Sequence, residues 1–267
     1  MSILTISRNY GSGGREIGKA VAKSLQYEFV DKDKMLADIR VTVPKWEQWA
    51  RDIDERCPSV WEKYDWSFRG FAALIQSVIL NYAIKDNVVI MGRGGNFLLK
   101  GIPHAFRVRV VAPMEARIER IMKREGLDKG TARWLCEKTD SERSCFIHAI
   151  YGKQWDDPAE YDKVFAVSGQ MLDDVVLVVQ DALAERQRKD TEEAMNFLRM
   201  RALAAKVKAG IATNPRIFIP TLDVFYDGRE IVLRGVTHTP KEHKRIEDMA
   251  KDLAGDMPVR CELHYRH

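Results

Sequence analysis

Short apolar runs alternate with segments of helical periodicity over the first two thirds of the chain. Each run has four to six residues, mostly β-branched or aliphatic, and ends in glycine or polar residues, as buried strands do. The intervening segments space their apolar residues three and four positions apart, which predicts helices. Predicted strands occupy residues 3–7, 27–31, 88–91, 106–111 and 163–167, and predicted helices occupy residues 14–25, 70–84, 114–125, 128–150 and 171–186.

This alternation is typical of an α/β domain in which helices flank a parallel sheet. The interval between the second and third predicted strands is less regular, because residues 45–66 mix tryptophans with charged residues. We expect helices with an exposed edge there. Its tryptophans could stack on a nucleotide base, but packing in the core or in a dimer is the preferred interpretation. They are Trp46, Trp49, Trp61 and Trp66.

The pattern changes at residues 184–194, which are charged and lack apolar periodicity. We interpret them as a linker or a solvated helix end and divide the chain into domains of residues 1–187 and 188–267. Asp227-Gly228 between two strand-like runs predicts a hairpin, and Thr239-Pro240 predicts the start of a helix. The second domain is therefore a small α+β fold, with helices at 194–209 and 240–253 and strands at 222–226, 231–235 and 259–265.

Composition and charge narrow the classes of ligand and compartment. The net charge of +4 suits polyanionic small molecules such as nucleotides and gives no argument for nucleic acid binding. The four cysteines form no C-x-x-C pair and the six histidines show no ligand spacing, so we expect reduced thiols and no metal site. We find neither a signal-peptide pattern nor an apolar stretch of membrane-spanning length, which predicts a cytoplasmic protein.

The candidate chemistry lies in a glycine-rich segment between the first predicted strand and the first predicted helix. Glycines allow successive backbone amides to face an anion, and the helix that follows adds its positive N-terminal end. The segment is a variant of G-x-x-x-x-G-K-S/T, since Asn9, Arg15 and Glu16 replace the first glycine, the lysine and the hydroxyl residue. A turn with a structural arginine is the simpler alternative, but the strand–turn–helix context favours a phosphate site. The candidate residues are Tyr10, Gly11, Ser12, Gly13, Gly14, Arg15 and Glu16.

Three further motifs, at residues 88–94, 138–143 and 152–164, follow the opening segment at residues 6–18. Together they resemble the opening signature, the Gly-Arg turn, the lid helix and the last strand of the cytidylate kinase-like family. The resemblance spans about residues 1–185. It implies a P-loop NTPase-type parallel sheet and ATP-dependent phosphoryl transfer to a nucleoside monophosphate such as CMP or dCMP, with ATP and Mg²⁺ as cofactors.

The resemblance also implies roles for the candidate residues. Arg15 and the loop amides would hold the β- and γ-phosphates of the donor. Gly92 and Arg93 would hold the phosphate of the acceptor. Arg143, on the lid helix, would close over the transferring group, where cations meet the developing charge.

For several other charged residues, two interpretations of their role stay open. Asp140 would position Arg143 or lie near Mg²⁺, or it would only pack the lid helix. Asp31 and Asp33 would orient the acceptor or the metal, or they would cap a helix. Arg117 and Arg120 could join the cationic cluster, but we prefer an exposed helix face on which they pair with Glu115 and Glu119.

Departures from the family pattern leave a second hypothesis open. Gly94 stands where cytidylate kinases usually have an acid, and residues 166–169 differ from the usual end of the last strand. The alternative is a regulatory nucleotide-binding protein with weak or no kinase activity.

The C-terminal residues carry a resemblance of their own. Residues 195–267, through Asn214-Pro215, the hairpin and the helix at 240–253, resemble a BON domain. This resemblance implies a binding role toward an unknown ligand or partner. A lipid-surface adaptor is a third hypothesis, and assembly into a homo-oligomer is left open.

Overall fold

The computed structural model describes residues 2–42, 46, 56–167, 172–219 and 221–265. The first five strands are β1 (Ile3–Arg8), β2 (Glu28–Val30), β3 (Val88–Met91), β4 (Ala105–Val111) and β5 (Lys163–Ala166). They form one parallel sheet in the order β2-β3-β1-β4-β5. Helices flank this sheet, so the predicted α/β class and P-loop kinase-type sheet are confirmed.

The described residues contain nine α-helices, and none of these is long and apolar enough to cross a membrane. The first five are α1 (Gly14–Leu25), α2 (Lys32–Thr42), α3 (Trp66–Ala83), α4 (Gly95–Leu98) and α5 (Met114–Glu125). The others are α6 (Lys129–Tyr151), α7 (Leu172–Gln187), α8 (Glu192–Ala212) and α9 (Pro240–Ala254).

The central strand β1 brings the candidate segments together. Ile3 pairs with Val88 of β3 on one side and with Ala105 of β4 on the other. Because these strands are parallel and buried, their carboxyl ends meet at one edge of the sheet. The glycine-rich loop after Arg8 and the Gly-Arg turn after Met91 therefore lie at the same edge.

Contacts along the chain define two compact units, each with its own apolar core. The first contains residues 1–34, 55–57 and 85–191, and the second contains residues 35–54, 58–84 and 192–267. Within the second unit, α3 packs against α8. That unit therefore gathers two separate parts of the chain, and the division into residues 1–187 and 188–267 stays a prediction.

A separate three-stranded sheet lies in the C-terminal part, as expected of a small α+β module. Its strands are β6 (Asp223–Tyr226), β7 (Ile231–Thr237) and β8 (Val259–Tyr265). The hairpin at Asp227-Gly228 is confirmed, since β6 and β7 are antiparallel. Strand β8 pairs in parallel with β7 after the crossover through α9.

The charged segment at 184–194 is mostly helical, which agrees with the helix-end alternative and not with a long linker. Helix α7 continues to Gln187 and α8 begins at Glu192, so only residues 188–191 separate them. Glutamate, arginine and glutamine are good helix formers even without an apolar stripe. The sequence pattern therefore overestimated the length of the connection.

The tryptophan-rich interval contains both buried and exposed rings. Trp46 is buried and packs on Trp66, with ring centroids 4.8 Å apart, as expected for core packing. Trp61 is 85% exposed. The predictions for Trp49, for Ser168-Gly169 and for His267 lie outside the described residues.

Two of the four cysteines are joined, so the expectation of four reduced thiols is wrong. Cys57 and Cys145 form a disulfide with their Cα atoms 5.1 Å apart, within the usual range for a disulfide. Cys136 and Cys261 are free. The sequence could not predict this bond because 88 positions separate the two cysteines and only the fold brings them together.

Candidate functional site

The glycine-rich loop turns sharply between β1 and α1. Gly11 and Gly13 have φ angles of 76° and 88°, in the left-handed region that other L-residues rarely adopt. Gly13 is also the N-cap of α1. A Cβ atom on Gly13 would lie 2.6 Å from Leu172 Cδ2, so the turn leaves no room for a side chain at that position.

Several amides of this loop are open to a ligand. Ser12 N donates to Asn9 O at 3.2 Å, and the first intrahelical bond runs from Ile17 N to Gly13 O at 3.0 Å. The amides of Gly14, Arg15 and Glu16 precede that bond and have no partner within the helix. Together with the positive end of the helix dipole, they form an anion-binding group.

A cleft of about 680 Å³ lies over the loop. Among the residues that the structure describes, its lining carries seven cationic side chains and a single carboxylate, that of Glu16. This balance strongly favours a ligand with several negative charges. Residues 8–16 line it together with Lys19, Arg120, Lys123, Arg124, Arg143 and Leu172.

Arg15 and Asp31 pair with each other. Arg15 Nη2 lies 2.5 Å from Asp31 Oδ2, at the rim of the cleft. Asp31 Oδ1 also accepts from the amide of Lys34 at 3.3 Å, in the first turn of α2. The capping interpretation of Asp31 therefore has direct support, and a phosphate that binds Arg15 must compete with this carboxylate.

Arg117 and Arg120 do not form the exposed face that the sequence suggested. Arg117 is 7% exposed and pairs with Asp140 at 2.6 Å, while Glu115 pairs with Lys129 and Arg133. Arg120 Nη1 donates to Gly11 O at 3.2 Å. The expectation fails because α5 lies against the phosphate loop, so its basic residues meet that loop.

Asp140 bonds to the phosphate loop from helix α6. Its Oδ1 accepts from Tyr10 N at 2.7 Å, and its Oδ2 accepts from Asn9 Nδ2 at 2.7 Å. The same Oδ2 accepts from Arg117 Nη1 at 2.6 Å. Both carboxylate oxygens thus accept hydrogen bonds. Asp140 therefore does more than pack the lid helix, because it also bonds to the phosphate loop.

A second cleft adjoins the first and is built around Arg93. Its volume is only about 10 Å³, room for about one water, so it must widen to admit a phosphate. Gly92, Arg93 and Gly94 have φ angles of 72°, 56° and 77°. Such a conformation is uncommon for arginine and is often found at functional sites. Tyr151 Oη donates to Arg93 O at 2.6 Å, which helps to hold this turn. Arg8, Arg93 and Arg143 line the cleft, and its lining within the described ranges of the chain includes no carboxylate.

Gly94, the position where the family usually has an acid, is covered by an aromatic ring. A Cβ atom on Gly94 would overlap the ring of Tyr151. That ring stacks on Phe97 with centroids 5.3 Å apart. An acidic side chain at this position would therefore displace Tyr151.

Arg8 and Arg143 line both clefts. Arg143 is buried, donates to Arg8 O at 3.2 Å and lies over the ring of Tyr10 at 5.7 Å. Burial raises the pKa of the Tyr10 phenol, and this effect exceeds that of the Arg124 charge, which lowers it. The phenol therefore remains protonated at neutral pH. These residues form a rigid wall where the two clefts meet.

Sequence reasoning missed four cationic residues of the site, namely Arg8, Lys19, Lys123 and Arg124. Lys19 follows Arg15 by one helical turn on α1, which is a signal that spacing alone could have supplied. The residues of α5 gave no such signal. Basic residues on an amphipathic helix resemble a solvated face until the position of that helix is known.

The described residues contain no cluster of three side chains suited to hold a metal ion. Ser12 Oγ is buried in the loop without a hydrogen-bond partner in the described structure. A hydroxyl and the carboxylate of Glu16 suit Mg²⁺ that arrives with nucleotide phosphates, because Mg²⁺ needs few protein ligands in such sites. The donor set therefore fits a metal carried by the nucleotide.

The parallel sheet, the glycine-rich loop after its central strand and the cationic clefts define a protein of the P-loop kinase type. The chain belongs to the cytidylate kinase-like family, whose model matches residues 3–169. The resemblance seen in the N-terminal motifs is thereby confirmed. The match does not extend to the C-terminal residues, for which the BON-like assignment is not shown.

The similarity to individual proteins differs in how much of each chain it covers. A cytidylate kinase of Methanocaldococcus jannaschii is 27% identical over 184 residues, which cover 68% of this chain and 97% of that protein. A uronate isomerase of Corynebacterium glutamicum is 28% identical over 106 residues, which cover 39% of this chain. The matched stretch spans only 20% of the isomerase.

A solved structure shows the same fold. The crystal structure of an uncharacterized protein from Eubacterium ventriosum matches with a TM-score of 0.53 at 19% identity. The match covers 69% of this chain and 99% of that chain. This structure shows the fold alone, whereas the family match and the cytidylate kinase relative support a nucleotide kinase-like function for the N-terminal part.

Proposed function

We propose that this protein transfers a phosphoryl group from ATP to a nucleoside monophosphate, with CMP or dCMP as the first candidates. The observation that carries the proposal is the pair of adjoining cationic clefts that share Arg8 and Arg143. Phosphoryl transfer requires two anions held end to end with their charges cancelled. Two phosphate sites with a common arginine wall supply that arrangement.

The larger cleft would hold the triphosphate of the donor. The amides of Gly14, Arg15 and Glu16 lie at the positive end of α1, where phosphate oxygens are stabilised. Arg15 would leave Asp31 and bind a terminal phosphate with its planar fork. Lys19 and Lys123, on opposite helices, add charge along the same cleft.

The narrower cleft would hold the phosphate of the acceptor. Arg93 is only 3% exposed, so its charge acts in a poorly solvated environment, where electrostatic attraction is stronger than in water. Gly92, which has no side chain, would let the backbone come close to this phosphate. The cytidylate kinase relative supports a pyrimidine monophosphate as the acceptor. Because Tyr151 covers Gly94, where the family usually has an acid, other monophosphates should be tested as well.

Arg143 would contact the transferring group itself. It stands where the clefts meet and is held by Arg8 O, so its position is fixed before the ligands arrive. A preorganised cation at this point stabilises the charge that develops on the equatorial oxygens. Mg²⁺ would neutralise phosphate charge, with Ser12 and Glu16 as the nearby oxygen groups.

The finer predictions remain part of this proposal. They are the CMP or dCMP acceptor, the use of ATP and Mg²⁺, the cytoplasmic location and the BON-like nature of residues 188–267 with an unknown ligand. The C-terminal sheet supports a separate module. The homo-oligomer stays an open prediction.

A transfer assay with matched variants tests the proposal. ATP and Mg²⁺ are offered with CMP, dCMP, UMP, AMP and GMP, and diphosphate formation is measured. Arg143→Ala should lower kcat on the order of 100- to 1,000-fold, as loss of a donor to transition-state charge does. Arg93→Ala should raise the KM of the acceptor more than that of ATP.

Arg133→Ala is the matched control, because Arg133 lies on the same helix as Arg143 but has a half-exposed side chain that pairs with Glu115. It should keep wild-type rates. Saturable ATP binding without diphosphate from any of the five acceptors would contradict the kinase proposal and would leave the regulatory nucleotide-binding hypothesis.

A further inference from the structure

We infer that Asp140 and Arg117 are positioning residues that clamp the phosphate loop at Tyr10 and so preform the donor site. This inference rests on the proposed phosphoryl transfer and assigns the two residues to a different role from that of Arg143. Neither needs to touch the nucleotide. Each acts through the main chain of the loop.

The clamp holds both main-chain groups of Tyr10. The amide of Tyr10 donates to Asp140 Oδ1 at 2.7 Å, and its carbonyl accepts from Arg117 Nη1 at 3.2 Å. Arg117 and Asp140 are also joined to each other at 2.6 Å. The three groups form a closed set, in which loss of either side chain leaves the other charge without its partner.

Burial makes this set rigid. The side chains of Arg117 and Asp140 are only 8% and 15% exposed. Buried charges of this kind persist when hydrogen bonds satisfy them, and removal of one partner is strongly unfavourable. Asn9 Nδ2 supplies a further donor to Asp140 Oδ2 at 2.7 Å. Both carboxylate oxygens are thereby used within the protein.

Helix α5 approaches the loop as closely as sterics allow. A Cβ atom on Gly11 would lie 3.0 Å from Arg117 O, so the backbone of α5 lies directly against the turn. Helix α6 contributes Asp140 from the other side. The loop is thus fixed from two helices before any nucleotide binds.

Preorganisation has a consequence for the donor rather than for the acceptor. The amides that would receive phosphate begin only a few residues after Tyr10, and their orientation depends on this turn. Fixing them in advance removes an ordering cost from ATP binding. The clamp should therefore affect ATP affinity, while the Arg93 cleft keeps its own geometry.

Asp140→Ala and Arg117→Met test this inference, with Glu137→Ala as the control. Glu137 lies on the same helix as Asp140 but is exposed. ATP affinity, the KM of each substrate and hydrogen exchange at the Tyr10 amide are measured on the full chain. Both variants should weaken ATP binding on the order of 10- to 100-fold, as loss of a supporting residue does. The acceptor KM should stay unchanged and the Tyr10 amide should exchange faster.

Conservative variants guard against misfolding. Asp140→Asn keeps an acceptor for the Tyr10 amide and Arg117→Lys keeps the charge, so each should recover part of the ATP affinity. Unchanged ATP affinity with a loss of kcat would overturn the inference and make Asp140 a catalytic residue. ATP binding without transfer by the wild type would defeat only the proposed function, and a wild type that binds no ATP would defeat both.

Discussion

Arg15 shows how a single ion pair can oppose a ligand. Its guanidinium is 46% exposed while its partner Asp31 is 15% exposed, so solvent screens the pair and its worth is small. A bound phosphate would compete with Asp31 for the same cation. If ATP is the donor, as proposed, its affinity should therefore depend on an acid that lies beside the cleft.

Asp31→Asn should raise ATP affinity about 2- to 5-fold, because a partly exposed ion pair contributes up to about 1 kcal/mol. An equilibrium titration of each protein with ATP measures the change, with Asp33→Asn as the control on the same first turn of α2. A fall in affinity would show that Asp31 contacts the nucleotide or its metal instead.

His104 provides a prediction for the dependence of stability on pH. The ring is fully buried, and both nitrogens lack a hydrogen-bond partner in the described structure. Burial lowers the pKa of His104 below its usual 6.5, against the charges of Asp86 and Asp190, which raise it. The folded protein therefore holds the imidazole neutral where the unfolded chain takes up a proton.

The free energy of unfolding should consequently fall as pH drops through about 6.5, because the unfolded state binds the extra proton. Denaturant titrations at about pH 7.5 and about pH 5.5 measure the difference. His104→Gln should flatten this slope. Equal slopes in wild type and variant would place the proton uptake elsewhere.

At the scale of elements, the loop between β1 and α1 is the most constrained segment. Gly13 has a positive φ and faces Leu172, whereas Gly101 has a φ of 82° and open space around it. Substitution of either glycine would therefore strain the backbone. Only at Gly13 would the new side chain also overlap a neighbouring residue, Leu172, at the proposed phosphate site.

Gly13→Ala should destabilise the protein by at least about 1–2 kcal/mol from strain alone and should also abolish ATP binding. Gly101→Ala should show the strain without the loss of binding. Thermal unfolding and ATP titration of both variants separate the two effects. Normal ATP binding by Gly13→Ala would mean that the turn tolerates a side chain and is not the phosphate cradle.

The strands and helices of the first unit followed from their apolar patterns, since buried parallel strands give short continuous runs. Helix α2 and the short α4 escaped because neither has a clear apolar face. The phosphate loop was visible through its glycines and its place between a strand and a helix. The basic residues of α5 were not assigned correctly, because charge on a helix surface does not reveal which element lies opposite.

At the scale of the whole molecule, the disulfide between Cys57 and Cys145 crosslinks positions 88 residues apart. Closing a loop of that length in the unfolded chain contributes about 4.6 kcal/mol of stability in the chain-entropy model. Helix α6, which carries Asp140 and Arg143, is one of the two segments that it joins.

Cys57→Ser should therefore lower the unfolding midpoint, and reduction with dithiothreitol should lower that of the wild type but not that of the variant. Cys261→Ser is the control, since Cys261 is free. A thiol titration of unfolded wild type, purified without reductant, should find only the thiols of Cys136 and Cys261. Four reactive thiols would contradict the bond.

The central claim is that the backbone amides at the start of α1 receive the phosphates of a nucleotide. Amide NMR spectra recorded during a titration with ATP and Mg²⁺ test it most directly. We expect saturable shifts that are largest at Gly13, Gly14, Arg15 and Glu16. In the clamp variant Asp140→Ala the same shifts should require on the order of 10- to 100-fold more ATP. Saturable shifts confined to other residues, or no shifts at all, would contradict it.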